Sequence, residues 1–269
     1  MKVFVIGRGK VGRALVRALR STPHRATSAS ARDRRLRVPR DAELVVLAVR
    51  DGRLPHWARS LAEREGVPPK AAVIHVAGAI DADVLAPLRG RCAGIGRAHP
   101  LASFAAEEYA PDLAGCFWLV QGDRSATTRA RSLVRALRGV PVCWAVPSAP
   151  YHAAAALTAN GAVGLIGAAT DLLVAAGAPR GASVRALGKL LGTVVANVLE
   201  LGLPVALTGP IRRGDPETVR RHLELLDAEA PEIARLYRVG GRQQLRMAAE
   251  LGELDPTARR RLQRLLRSP

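Results

Sequence analysis

Aromatic side chains are scarce in this sequence: three Trp, three Tyr and three Phe make up 3% of 269 residues. Single-stranded nucleic acid is gripped by stacked aromatic platforms, so a chain this poor in rings lacks that equipment. No nucleic-acid recognition motif is present, and no nucleic acid is expected as a partner. Cysteine is equally sparse. Cys92, Cys116 and Cys143 are odd in number and far apart, with no C-x-x-C pair and no His at metal-ligand spacing. That excludes a disulfide framework, and no metal site is expected. The three read as small apolar residues in a reducing compartment, the cytoplasm. Long unbroken hydrophobic runs are missing too. The longest, around Ala153–Leu157 and Ala162–Ala178, are interrupted by Asn160, Asp171 and several glycines, so no membrane span is expected. The first apolar run is only four residues long and continues into glycines, which is not the pattern of a signal peptide.

Acids are outnumbered. Lys+Arg total 41 against 23 Asp+Glu, for a net charge of +18, and nearly all the cations are Arg. Much of this reflects an Arg- and Ala-rich composition, but its distribution is uneven. Residues 1–40 hold twelve Lys/Arg and one Asp, so +11 of the +18 lies in the first forty residues. Such a concentration suits an anionic ligand.

That basic stretch opens MKVFVIGRGKVGRALVRALR. Val3 to Ile6 read as a strand buried on both faces, and Val11, Leu15, Val16 and Leu19 as one face of a helix. Between them Gly7, Gly9 and Gly12 take the G-x-G-x-x-G spacing at a strand-to-helix turn. In a dinucleotide site the first glycine makes the turn, the second lets backbone approach a pyrophosphate, and the third lets helix and strand pack closely. Arg8, Lys10 and Val11 complete the loop, and the helix N-terminus offers free N–H groups to phosphate. An NAD-selective site usually places an acid at the end of the second strand, expected near Thr27–Ser30. Here the residues are Ser28, Ser30 and Arg32, with Asp33 followed by Arg34 and Arg35. Hydroxyl and guanidinium donors suit a 2′-phosphate, so NADP is the expected cofactor.

Further strand-like runs occur at Glu43–Val49, Ala72–Val76, Ala93–Ala98, Cys116–Val120 and Val140–Val146, with helical segments between several of them. This predicts a doubly wound α/β domain over residues 1–148, with ligands at the carboxyl edge of the sheet. Val49-Arg50, Ala77-Gly78 and the segment His99–Ser103 fall in the loops of that edge. From residue 149 the pattern is helical only, with helices near 151–176, 181–202, 215–227, 230–250 and 255–267. The fold class is therefore α/β, a doubly wound Rossmann-like sheet followed by an all-α domain over 149–269. Its first two helices are apolar nearly all round, which predicts burial and a homodimer.

Polar residues stand out on those helices. His152 and Asn160 are separated by about 80° around a helix and roughly 12 Å along it, and Asp171 lies about 20° from Asn160. Lys189, Thr193, Asn197 and Glu200 trace a second stripe that either meets a ligand or faces water. Buried polar groups must find partners, so these residues either bond one another or serve a ligand.

The stretches GRGKVGRAL, HVAGA, RAHPLASF, YHAAAALTANGAVGL and ALTGPIRRGDPETVRRHLELL resemble the Rossmann-like proteins with a C-terminal helical domain of unknown function. These are distant relatives of the ketopantoate reductases, pyrroline carboxylate reductases and β-hydroxyacid dehydrogenases. The resemblance covers nearly the whole chain and implies an NADP-linked reductase with a dimerising helical domain. The better-studied relatives place a catalytic Lys one turn before an Asn on the first long helix, where this chain has Ala156. The expected reaction is hydride transfer between NADP and a C=O or C=N bond of a small anionic substrate in the cleft between domains. His152 is the expected acid, because imidazole ordinarily titrates near physiological pH. Asn160 would orient the substrate. His99 would act as a second acid or line the nicotinamide pocket. Ser103, Thr208 and Arg212, or Arg213 beside it, are candidates for holding the substrate carboxylate. The alternative is a non-catalytic NADP-binding sensor or scaffold, which the absent Lys favours.

Overall fold

A computed structural model of the chain describes residues 1–33, 35–106 and 108–267. Arg34 lies outside them. The chain separates into two units, Met1–Ala159 and Asn160–Pro269. The division falls inside a helix rather than at residue 148, so the first turns of that helix belong to the N-terminal unit.

The N-terminal unit is built on β1 (Lys2–Ile6), β2 (Arg25–Ala29), β3 (Leu44–Leu47), β4 (Ala72–His75), β5 (Gly94–Pro100), β6 (Phe117–Gly122) and β7 (Val140–Val142). They form one sheet in the order β2-β1-β3-β4-β5-β6-β7. Strands β1 to β5 are parallel, β6 is antiparallel to β5, and β7 is parallel to β6. The strands read as unbroken apolar runs because helices cover both faces. Val3 and Val5 point to one side, where they meet Leu15 and Leu19 of α1 (Lys10–Leu19) and Leu133 and Val134 of α3 (Arg124–Ala136). Phe4 and Ile6 point to the other, against Leu54, Trp57 and Leu61 of α2 (Leu54–Glu63). The chain crosses the sheet between β2 and β3, which places the switch point between β1 and β3.

β7 stops four residues short of the predicted run. Beyond it the Gln121 amide donates to the carbonyls of Trp144 and Val146. This side-chain bonding turns residues 143–147 off the sheet edge and into the next helix.

That helix, α4 (Ser148–Ala175), is followed by α5 (Arg180–Leu201), α6 (Pro216–Glu229), α7 (Pro231–Glu250) and α8 (Pro256–Leu265). α6, α7 and α8 each begin with Pro, whose missing N–H costs nothing at a first helical position. Asp215 and Asp255 accept from backbone amides in the first turns of α6 and α8. These last three helices share a core of Ile211, Val219, Leu223, Leu245, Leu262 and Leu266. Arg238 is clamped on both oxygens of Asp227, at 2.7 and 2.6 Å.

α4 and α5 depart from the burial expected of them. Within one chain only 6% of the apolar window of each is buried. With 28 and 22 residues and mean hydropathies of 1.4 and 1.3, both are long and apolar enough to cross a membrane. They are apolar all round without being covered by their own chain.

Candidate functional site

β1 delivers the chain to the glycine turn, and each glycine meets a different constraint. Gly7 has φ of +125°, and a Cβ there would lie 2.1 Å from the Ala48 carbonyl oxygen. A Cβ on Gly12 would lie 2.2 Å from the Gly7 carbonyl oxygen. Both glycines are therefore demanded by packing. Gly9 is not, since nothing stands within 4 Å of a Cβ built on it. Its open face lies at the N-cap of α1, whose first turn has neither a side-chain cap nor an acid. Such an N-terminus, with unshared amides and the positive end of the helix dipole, is a ready anion site.

A cleft of about 1100 Å³ opens beside this turn. Of the sequence-predicted residues Gly7, Arg8, Gly9, Ser30, Arg32, Val49 and Arg50 line it. Arg13, Arg53 and Arg64 do so as well, giving six Arg against one acid, Asp33, among the described residues. Asp33 is partly spoken for, because it accepts from the Arg35 amide at 2.9 Å. Ser28 contributes by its carbonyl, which holds the Arg8 guanidinium at 2.8 Å. Lys10 donates to the Ala105 carbonyl and so ties the loop after β5 to α1. Val11 packs on the sheet, not on the cleft. The α2 contributions, which include Trp57, His56 and Ser60, escaped the sequence reading because an amphipathic helix carries no binding motif.

A second cluster gathers at the carboxyl ends of β4 and β5 and the start of α4. His99 and His152, both singled out from sequence, have ring centroids 6.3 Å apart. Ala77 and Gly78 belong here and do not line the Arg-rich cleft. A Cβ on Gly78 would lie 2.7 Å from His99 Nε2 and from His152 Cδ2, so the absent side chain makes room for both rings. Sequence reasoning missed the other members. His99 Nδ1 lies 2.8 Å from the Tyr151 hydroxyl. The Arg97 guanidinium sits 5.6 Å from the centre of the Tyr151 ring, a cation–π distance. The one available signal was a charged residue inside an otherwise small and apolar strand, AGIGRA.

Arg97 is wholly buried. Its Nε donates to Gln121 Oε1 at 2.9 Å, and its other nitrogens donate to the carbonyls of Gly78, Ile80 and Val146 at 3.3, 3.2 and 3.5 Å. Among the described residues the nearest carboxylate, Asp81, is 3.8 Å away. Burial of this kind is tolerated only when the donors are satisfied. His75, also buried, receives the Ala77 amide on Nδ1 at 3.2 Å, so its proton sits on Nε2 facing the Asp81 carbonyl at 3.3 Å. Burial pushes both His75 and His99 down to a pKa of about 4, helped by the Arg97 charge and, at His99, by His152. Burial pushes the Tyr151 hydroxyl up to about 12. At neutral pH His75, His99 and Tyr151 are therefore uncharged.

The remaining predicted residues stand elsewhere. Ser103 is exposed in the segment after β5, and Asn160 is exposed on α4 within the C-terminal unit. Thr208 is exposed, while Arg212 donates to the carbonyls of Val205 and Leu207 at 2.6 Å and pairs with Glu253 at 3.8 Å. Arg213, Lys189 and Glu200 are exposed, and Asp171 pairs with Arg180 at 2.9 Å.

Residues 1–100 match the family model of a Rossmann-like domain, and residues 116–244 match the model described as a domain of unknown function, DUF2520. No curated protein matches the chain. Among solved structures, the Bacteroides fragilis protein BF3122, named as a candidate NADP oxidoreductase, is 21% identical. That match covers 91% of this chain and 98% of that one, with a TM-score of 0.70. The 1-pyrroline-5-carboxylate reductase of Streptococcus pyogenes is 16% identical over 99% and 96% of the two chains, with a TM-score of 0.56. A Plasmodium falciparum pyrroline carboxylate reductase with NADP bound is 14% identical over 99% and 100%, also at 0.56. At these identities the likeness is one of fold.

Two outcomes follow from the geometry. Gly12→Ala should lower the melting temperature by several degrees, because its Cβ collides with backbone, whereas Gly9→Ala should leave it within about a degree; equal effects in thermal unfolding would contradict the assigned roles. The depressed imidazoles also set a pH dependence. An unfolded His takes a proton near pH 6.5, but His75 and His99 resist it down to about 4. Stability should therefore be full above pH 6.5 and fall between 6.5 and 4, by on the order of 3 kcal/mol per imidazole. Urea unfolding at a series of pH values measures this, and a flat profile would show that the two rings are not held neutral.

Proposed function

We propose that this chain, a Rossmann-like domain followed by a DUF2520 domain, is a cytoplasmic NADP-dependent oxidoreductase that reduces a C=O or C=N bond of a small anionic substrate. The observation that carries the proposal is the Arg-lined cleft at the switch point, beside an uncapped helix N-terminus and an open Gly9. A dinucleotide fits that chemistry: the amides of α1 would hold the pyrophosphate, and Ser30 and Arg32 the 2′-phosphate. When bound, the nicotinamide supplies the hydride. The chain's own residues bind and polarise the substrate and deliver the proton, and the histidines beside Gly78 are the groups available for that. His152 and His99, with ring centroids 6.3 Å apart, are the two candidates for the acid. Asn160, Thr208 and Arg212, expected from sequence to orient the substrate, belong to the C-terminal unit.

The basic excess is assigned to the dinucleotide and to no nucleic acid. Ala156, where the better-studied relatives have Lys, favours the alternative of a sensor that binds NADP without turnover. Screening small oxo acids and cyclic imines for NADPH oxidation separates the two readings, since a sensor binds NADPH and oxidises none.

Cofactor choice provides the first test. NADPH should bind at least tenfold more tightly than NADH, about 1.4 kcal/mol, and Arg32→Glu should reverse the order. Equal affinities by calorimetry would remove the NADP assignment.

We also propose that a second copy of the chain covers α4 and α5. Leu157, Val163 and Leu199 are 78%, 71% and 81% exposed in the single chain, more apolar surface than a solvated helix pair carries. The protein should sediment as a dimer at micromolar concentration without detergent, and Leu165→Asp or Val195→Asp should reduce the soluble yield. A soluble monomer, or recovery with the membrane fraction only, would contradict the assignment.

A further inference from the structure

Reductions of a carbonyl and of an iminium ask opposite things of a site. Hydride addition to C=O builds negative charge on oxygen, whereas hydride addition to protonated C=N removes a positive charge that the site must first accommodate. A fixed, desolvated potential favours one and penalises the other.

The groups facing His99 come from three elements. Arg97 lies on its own strand, His75 on β4, and Tyr151 and His152 on α4. Arg97 is the permanent charge among them, and it is sealed from solvent while its nearest carboxylate, Asp81, is mostly exposed and 3.8 Å away. The cation is oriented by hydrogen bonds to three carbonyls and to Gln121, so its field is fixed. The Tyr151 hydroxyl meets His99 Nδ1 at 2.8 Å, and the opposite nitrogen, Nε2, points at the space left by the missing side chain of Gly78.

Building on the reductase reading, we propose that this cluster selects a carbonyl over an imine: Tyr151 donates to Nδ1 and holds His99 as a neutral Nε2–H donor to the substrate oxygen, within the positive field of Arg97. His99 is then the catalytic residue, and Tyr151 and Arg97 are positioning residues. In the step, hydride that the reduced dinucleotide would supply, becoming oxidised, bonds to the carbonyl carbon, and the C=O π pair moves to oxygen. That oxygen takes the proton of His99 Nε2, Nδ1 takes the proton of the Tyr151 hydroxyl, and the tyrosinate, beside Arg97, recovers a proton from water. The transfer runs downhill, since a new alkoxide is comparable in basicity to hydroxide, with a conjugate acid near 15.7, and the tyrosine lies at about 12. An imine nitrogen needs its proton before the hydride arrives. His99 and Tyr151, the uncharged donors at that position, do not supply it, and the buried guanidinium beside them disfavours the cation.

The test pairs substrates of equal size: straight-chain 2-oxo acids and aldehydes against five- and six-membered cyclic imino acids, each with NADPH oxidation as readout. At least one carbonyl should be reduced with a kcat/KM 100-fold or more above any imine. An imine reduced as well as the best carbonyl overturns this inference and leaves the reductase reading intact. Oxidation of NADPH by neither class overturns the reductase reading, and the substrate assignment with it. The tautomer is tested without turnover, by NMR of the protein labelled with 15N at histidine. His99 should be neutral and protonated on Nε2 at pH 6, and Tyr151→Phe should change its tautomer ratio while NADPH affinity stays within twofold. A charged His99 at pH 6, or one protonated on Nδ1 in the unsubstituted protein, overturns the proposal even if Tyr151→Phe does not fold.

Discussion

The buried guanidinium of Arg97 is the interaction on which the carboxyl edge of this sheet depends. A charge sealed inside a domain is costly unless every donor is matched. Here the matching groups are backbone carbonyls from two segments distant in sequence, the loop after β4 and the run that leads into α4. By bonding to both, one side chain sets where Gly78, Tyr151 and His152 stand relative to His99. Gln121 reinforces it from β6, donating to the same run that Arg97 holds. The shortened β7 is a consequence of this bonding.

Charge is used in two ways along one edge. In the cleft beside the glycine turn the Arg side chains are numerous and line open space, where salt screens them. In the histidine cluster a single Arg is buried, bonded and directional, which makes it a field and not a ligand grip. The depressed pKa of His99 follows first from burial and then from its charged and titratable neighbours, so it belongs to the same arrangement as the Tyr151 contact.

Much of this was legible in the sequence because local chemistry wrote it there. Three glycines at fixed spacing after a run of Val and Ile state a turn that backbone packing demands, and collisions at Gly7 and Gly12 bear that out. The helices expected from residues 215 and 255 begin at Pro216 and Pro256, within about a residue. Arg97 and Tyr151 were not legible. Their roles come from contacts across 17 to 52 residues of sequence, which the stretches RAHPLASF and YHAAAALTANGAVGL that contain them do not reveal. The six Arg of the cleft were partly hidden for the opposite reason, since in an Arg-rich chain another Arg carries little information. All-round apolarity in α4 and α5 reads as burial from sequence, but the single chain does not supply it.

Hydrogen–deuterium exchange on Arg97→Met tests the central claim most directly. If one guanidinium holds the edge together, residues 76–81 and 143–152 should lose amide protection together, while the β1–α1 turn and the C-terminal unit keep theirs. Unchanged exchange in either segment, or loss in one without the other, would contradict the account.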